Sequence, residues 1–298
     1  MKSALIGFLV LVAWAHLALA DDDIDTIKRV LKSPRREWTR WPWQEHADDL
    51  KAFGDRALPL LATLLPDSQL GYEAAQTMLV IDPRKAAPLL FASIPPADRN
   101  VQNVAFSHFL HRVDRGETFP FLGQMHDAAV RCLRTGTNAD AAETAIYVLG
   151  VTGTEKDFEL LESYHHSQHP TEFWSAKLQN AAEEVLARLG DASALESIER
   201  QISVVPAKPQ DMGEAVTLVR SIAKAGYSRN PRFIPFLARL LDIPPPDNSP
   251  SDDFVPPSPS SAAGVALDKI VNGVPTNFGH TKIDWKAWWK KNQSNYAK

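Results

Sequence analysis

Proline recurs at one position in a repeated apolar frame, and this recurrence restricts what the chain can fold into. The segments ALPLLATLL from Ala57, AAPLLFASI from Ala86 and FIPFLARLL from Phe233 share the frame, with Pro59, Pro88 and Pro235 in the common position. TFPFLGQMH from Thr118 fits it through Pro120. Two copies lack the proline: DFELLESYH from Asp157 and ALESIERQI from Ala194, with Glu159 and Glu196 at the matching place. Successive copies are 29, 32, 39, 37 and 39 residues apart. Such steps fit a pair of helices of three or four turns each. Proline costs a helix little in its first turn, where the missing N–H has no intrahelical acceptor. Each copy therefore predicts a helix that starts close to its proline.

A second helical pattern follows. The clearest are YEAAQTMLVID from Tyr72, ADAAETAIYVLG from Ala139 and LQNAAEEVLARLGD from Leu178. In the last, Leu178, Ala181, Ala182, Val185, Leu186 and Leu189 fall at i, i+3, i+4, i+7, i+8 and i+11, one apolar stripe on a helix. No segment sustains the period-two alternation of a half-buried strand, so an all-α chain is expected. Asp82-Pro83 and Asn230-Pro231 predict helix starts, with the polar residue as N-cap and the proline in the first turn.

Over residues 45–273 these features resemble HEAT-repeat proteins, within the armadillo-like αα-superhelices. The resemblance implies a solenoid of about six helix pairs, with second helices lining a concave face that holds a protein partner. Its exposed candidates are Glu73, Gln76, Glu143, Tyr147, Gln179, Glu183, Glu214 and Arg220. One stretch breaks the rhythm. Pro244 to Pro259 reads PPPDNSPSDDFVPPSP, which cannot be helix, and residues 243–260 are expected to form a loop inside the last repeat. It is either a plain spacer or an arm with Phe254-Val255 at its tip.

Residues 1–20, MKSALIGFLVLVAWAHLALA, carry a lysine, an apolar run and a final Ala18-Leu19-Ala20. That order predicts a signal peptide cleaved after Ala20 and a periplasmic or extracellular protein with no stable membrane insertion afterwards. Net charge is −4, and residues 1–20 hold one lysine and no acid, so the cleaved chain stands at −5. Nucleic acid is therefore not an expected partner, because phosphate backbones demand a basic surface. The single cysteine, Cys132 in AAVRCLR, is expected as a small buried apolar residue.

Three clusters could carry more. Trp38, Trp41 and Trp43 lie within REWTRWPWQEH, beside Arg35, Arg36 and Arg40. They could seal the solenoid as an N-terminal cap over 21–44, or form an aromatic platform for sugars or peptides. His165, His166 and His169, with Glu162 one turn earlier, have a spacing that can ligate zinc, but Pro170 ends the helix there and the histidines also suit its C-terminus. Residues 274–298 hold Gly279, Asp284, Trp285, Trp288 and Trp289, an ending similar to that of exported bacterial HEAT-repeat proteins. It predicts a short capping helix from Asp284. No nucleophile elbow, P-loop or dinucleotide fingerprint occurs. The expectation is a non-enzymatic scaffold for protein–protein interaction with no cofactor. Glu143, Tyr147, Gln179 and Glu183 are the scaffold's leading binding candidates; the alternatives are a carbohydrate- or peptide-binding module using the tryptophans and a metal-dependent enzyme with a site in the groove.

Overall fold

The computed structural model describes residues 22–93, 99–135, 139–166, 172–204, 212–243, 258–272 and 283–296. The expected signal peptide, residues 244–257 of the expected loop 243–260, His169 and Gly279 lie outside them. The far end of that loop is helical instead, since Pro259 takes the first position of a helix, where its missing N–H costs nothing. Among the described residues the chain is helical, with no strand. Residues 22–31 form α1. The helices that follow are α2 (Pro42–Asp49), α3 (Ala57–Ala62), α4 (Gly71–Ile81), α5 (Pro83–Ala92), α6 (Arg99–Asp114), α7 (Leu122–Arg134) and α8 (Ala139–Thr152). After them come α9 (Phe158–His165), α10 (Glu172–Leu189), α11 (Ala192–Val204), α12 (Met212–Ser228), α13 (Ile234–Leu240), α14 (Pro259–Asn272) and α15 (Trp285–Asn292).

Two compact units divide the chain: residues 1–109 with 120–145, and residues 110–119 with 146–298. In unit 1, α3 packs on α4, and the alternate helices α2 and α4, α3 and α5, and α5 and α7 also meet. Its core holds four phenylalanines, Phe91, Phe106, Phe109 and Phe121, with ring centroids 4.9 to 6.0 Å apart along the chain of contacts. Such pairs add about 0.5–1.5 kcal/mol each beyond the area they bury. In unit 2, α9 packs on α10, α11 on α12 and α13 on α14, while α10, α12 and α14 also pack in succession. Of the stripe expected on α10, Leu178, Ala181, Ala182, Val185 and Leu186 are in the core, and Leu189 at its end is half-buried. Gly226 lets α12 come close to α14. A Cβ built there would lie 2.8 Å from Cα and Cβ of Ala266 on α14.

The prolines sit in three different ways. Pro59 is the third residue of α3 and Pro235 the second of α13. Pro88 lies inside α5, where it removes the bond to the Arg84 carbonyl. Pro120 precedes α7, which begins only at Leu122. Both predicted caps form. Asp82 accepts from the N–H groups of Arg84 and Lys85, and Asn230 from that of Arg232. At the chain's end Asp284 caps α15, accepting from Lys286 and Ala287 N–H. Trp285 is buried against Gly264 of α14, and Lys286 pairs with Asp242 at 2.7 Å. No described helix is long and apolar enough to cross a membrane.

Candidate functional site

Trp38 and Trp41 of unit 1 are displayed, and Trp43 is half-buried. Trp38 is 91% exposed and Trp41 59%, so neither is the buried ring that a sealing cap requires. The segment that carries them is nonetheless pinned. Glu45 of α2 is buried, and its carboxylate accepts the backbone N–H of Arg36 at 2.9 Å and of Glu37 at 2.8 Å, plus Arg36 Nε at 3.2 Å. The Arg36 N–H is foremost in holding this carboxyl below the ordinary glutamate range; burial opposes it, and Glu37 N–H and the Arg36 side chain add to the lowering. Arg36 continues to both oxygens of Asp49 at 3.0 Å. Arg40 Nη2 reaches Asp48 at 2.5 Å, and Lys51 meets the same carboxylate at 2.7 Å. Lys51 and then Arg40 bring Asp48 down to about 2.

The rings stack in a column. The Arg35 guanidinium lies 5.6 Å from the Trp38 ring centroid and 5.8 Å from that of Trp41, and it donates to the Glu37 and Trp38 carbonyls. Trp41 and Trp43 are parallel within 3° at 5.1 Å. Trp43 meets Tyr72 of α4 edge-on at 6.2 Å. The start of α2 fixes Trp41: Pro42 is the first helical residue, and Gln44 Oε1 accepts the Trp41 N–H at 3.0 Å.

Tyr72 also lines an open groove of about 460 Å³ between α4 and α6, with Gln76, Leu79, Asn100, Asn103, Val104, Ser107 and His108. Of these only Gln76 is among the surface residues the repeat frame singles out. The α6 residues escape the pattern because their polar side chains dilute its apolar stripe. Beneath the column, His46 is buried with Nδ1 3.9 Å from Glu73 Oε2. Neither atom has a hydrogen-bond partner among the described residues, and nor does Thr77 Oγ1. Burial raises the Glu73 carboxyl above its ordinary range, against the opposing pull of His46.

The other candidates are scattered. Glu143 is half-buried on α8 in unit 1. Tyr147, Gln179 and Glu183 belong to unit 2. The Tyr147 hydroxyl donates to Glu184 at 3.0 Å, and its ring meets Tyr227 edge-on at 5.3 Å. The Gln179 carbonyl lies 3.3 Å from His165 Nδ1. Glu183, expected on the surface, is buried instead. Lys224 Nζ from α12 reaches it at 2.6 Å, and Ser197 and Gln201 of α11 donate to it at 2.7 and 2.8 Å. It binds the three helices together and is not available to a partner. His165 and His166 have rings 4.8 Å apart; no group of three or more His, Cys, Asp or Glu among the described residues is placed to hold a metal ion. Cys132 is buried, with Sγ 3.8 Å from Gln102 Oε1.

Unit 2 has an open groove of its own, about 910 Å³, with Phe236, Trp289 and Tyr296 as its rings and Arg232 and Arg239 beside them. Arg232 is paired to Glu199. No protein-family model matches this chain, and neither a curated protein nor a solved structure matches it.

Proposed function

We propose that the chain is an exported, non-enzymatic helical-repeat scaffold that works by binding, and that its recognition surface is the tryptophan-bearing segment 35–43 of unit 1. The exposed Trp38 and Trp41, both held by Arg35, with Trp41 stacked onto Trp43, carry this reading. Large rings in water are costly to display. Rings pinned in one arrangement offer contact area at little entropic cost on binding. The HEAT-like solenoid is supported by the alternate packing of α10, α12 and α14 and of α3, α5 and α7. Export is supported by the order of lysine, apolar run and Ala-Leu-Ala in residues 1–20.

A protein partner is the first ligand class for such a scaffold. A carbohydrate or peptide ligand is the second, and the exposure of Trp38 and Trp41 favours it over a partner held on Glu183 and Tyr147, whose polar groups are engaged within unit 2. Crosslinking in the native host, followed by mapping of the linked peptides, tests the placement. Links concentrated in the peptide spanning Arg35 to Trp43 are expected. Links confined to unit 2 overturn it, and so does the absence of both protein links and retained glycan.

A further inference from the structure

The groove between α4 and α6 is rich in neutral hydrogen-bonding groups, and His108 is its one titratable side chain besides the Tyr72 phenol. Among the described residues that line it there is no acid, lysine or arginine. Its polar groups have spare capacity of both kinds. The Tyr72 hydroxyl accepts from Gln76 Nε2 at 3.2 Å, which leaves the hydroxyl proton and Gln76 Oε1 for a ligand. The Thr144 hydroxyl shares its one proton between the Asp140 carbonyl at 3.0 Å and Asn103 Oδ1 at 3.2 Å, and the Asn103 Nδ2 protons remain for a ligand. Ser107 is exposed on the next turn of α6 and can donate or accept. Leu79 and Val104 supply apolar floor.

A ligand matched to this set carries many neutral groups that both donate and accept, on a body with apolar C–H faces. Vicinal hydroxyls on a pyranose ring answer that description. Phosphates and carboxylates match it less well, because no lysine or arginine lines the groove to offset their desolvation. The volume, about 460 Å³, lies within the range of small-ligand sites, about 300–1,000 Å³. The groove is open, so a chain of sugars can extend beyond it. Tyr72 belongs to both the groove and the ring column, and the column leads through Trp43 and Trp41 to the exposed Trp38 side. Sugar C–H faces pack on such rings while hydroxyls meet the amides.

We infer that unit 1 binds an uncharged oligosaccharide, one sugar seated among Tyr72, Gln76, Asn103 and Ser107 and the adjoining sugars laid along the tryptophan column. This rests on the reading of segment 35–43 as the recognition surface.

The test is a binding screen of the full chain against neutral oligosaccharides, uronate-containing oligosaccharides and extended peptides, read by intrinsic tryptophan fluorescence and, for the sugars, by retardation in polysaccharide gels. The wild type is expected to respond to neutral oligosaccharides only. Asn103→Ala should weaken binding about tenfold, the loss of one good hydrogen bond, or about 1.4 kcal/mol. Ser107→Trp, at an exposed position, should abolish it by filling the groove while the thermal melt stays unchanged. Response to uronates alone, response to extended peptides alone, or full binding by Ser107→Trp overturns the inference. A silent screen, with host envelope material still lost on Trp38→Ala/Trp41→Ala, overturns the oligosaccharide assignment and leaves the recognition surface standing.

Discussion

Lys224 Nζ and Glu183 Oε2 lie 2.6 Å apart in the interior of unit 2, and the same ammonium also donates to Asn180 Oδ1 at 2.7 Å and Gln201 Oε1 at 3.2 Å. Every polar atom of this pair has a role, so three helices are fixed by one carboxylate. Removing one partner strands the other charge in a buried site, a loss of about 3–5 kcal/mol. Glu183→Ala and Lys224→Met should each lower the urea midpoint strongly. The double variant Glu183→Leu/Lys224→Met should recover most of the loss. Equal, additive losses would show that the pair acts through packing alone.

Glu183 and its neighbour Glu184 should respond to pH in opposite senses. Burial works to raise the Glu183 carboxyl, but hydrogen bonds from Lys224, Ser197 and Gln201 outweigh it and hold the group below its ordinary range. Its stabilisation is present above the unfolded pKa, about 4.3, and is lost as pH falls through the lower folded value. Burial raises Glu184, against the Tyr147 hydroxyl. Its contribution is complete below the unfolded pKa and is lost as pH rises through the higher folded value. Melting curves from pH 3 to 8 check both. Glu183→Gln should be less stable than wild type at pH 7 and converge with it in acid. Glu184→Gln should be as stable as wild type or better at pH 7.

Gly226→Ala should destabilise unit 2, because the new methyl lies 2.8 Å from Ala266. Overpacking of this kind costs about 1–3 kcal/mol. Ala266→Gly in the same chain should return part of the loss. Failure of that rescue would place the strain elsewhere.

Two tryptophans should behave differently. Trp285 is 4% exposed, and Trp285→Ala should cost about 3–5 kcal/mol. Trp285→Phe should cost far less, since the buried Nε1 has no acceptor among the described residues. Trp38→Ala should leave the thermal midpoint unchanged.

Much of the scaffold is legible in the residues. Asp82 and Asn230 cap where their following prolines say they should, and the α10 stripe buries as its spacing predicts. Other parts depend on distant chain. Glu183 was expected in water because period alone cannot reveal a lysine 41 residues later that meets it. The start of α7 falls past Pro120 because the preceding Thr118 and Phe119 remain outside the helix. Helix α6 is weakly patterned because Asn103, Ser107 and His108 face a groove. Closely spaced tryptophans suit a seal first and a platform second; the exposure of Trp38 and Trp41 is not encoded in their spacing. The Pro42 and Gln44 pattern after Trp41 was the available signal that this ring is fixed at a helix start.

Retention of native-host envelope material by immobilised wild type and by Trp38→Ala/Trp41→Ala, with protein and glycan fractions both quantified, tests the recognition surface most directly. The wild type should retain material that the double variant, with an unchanged melt, releases. Equal retention by both proteins, or none by either, would contradict a binding role for these rings.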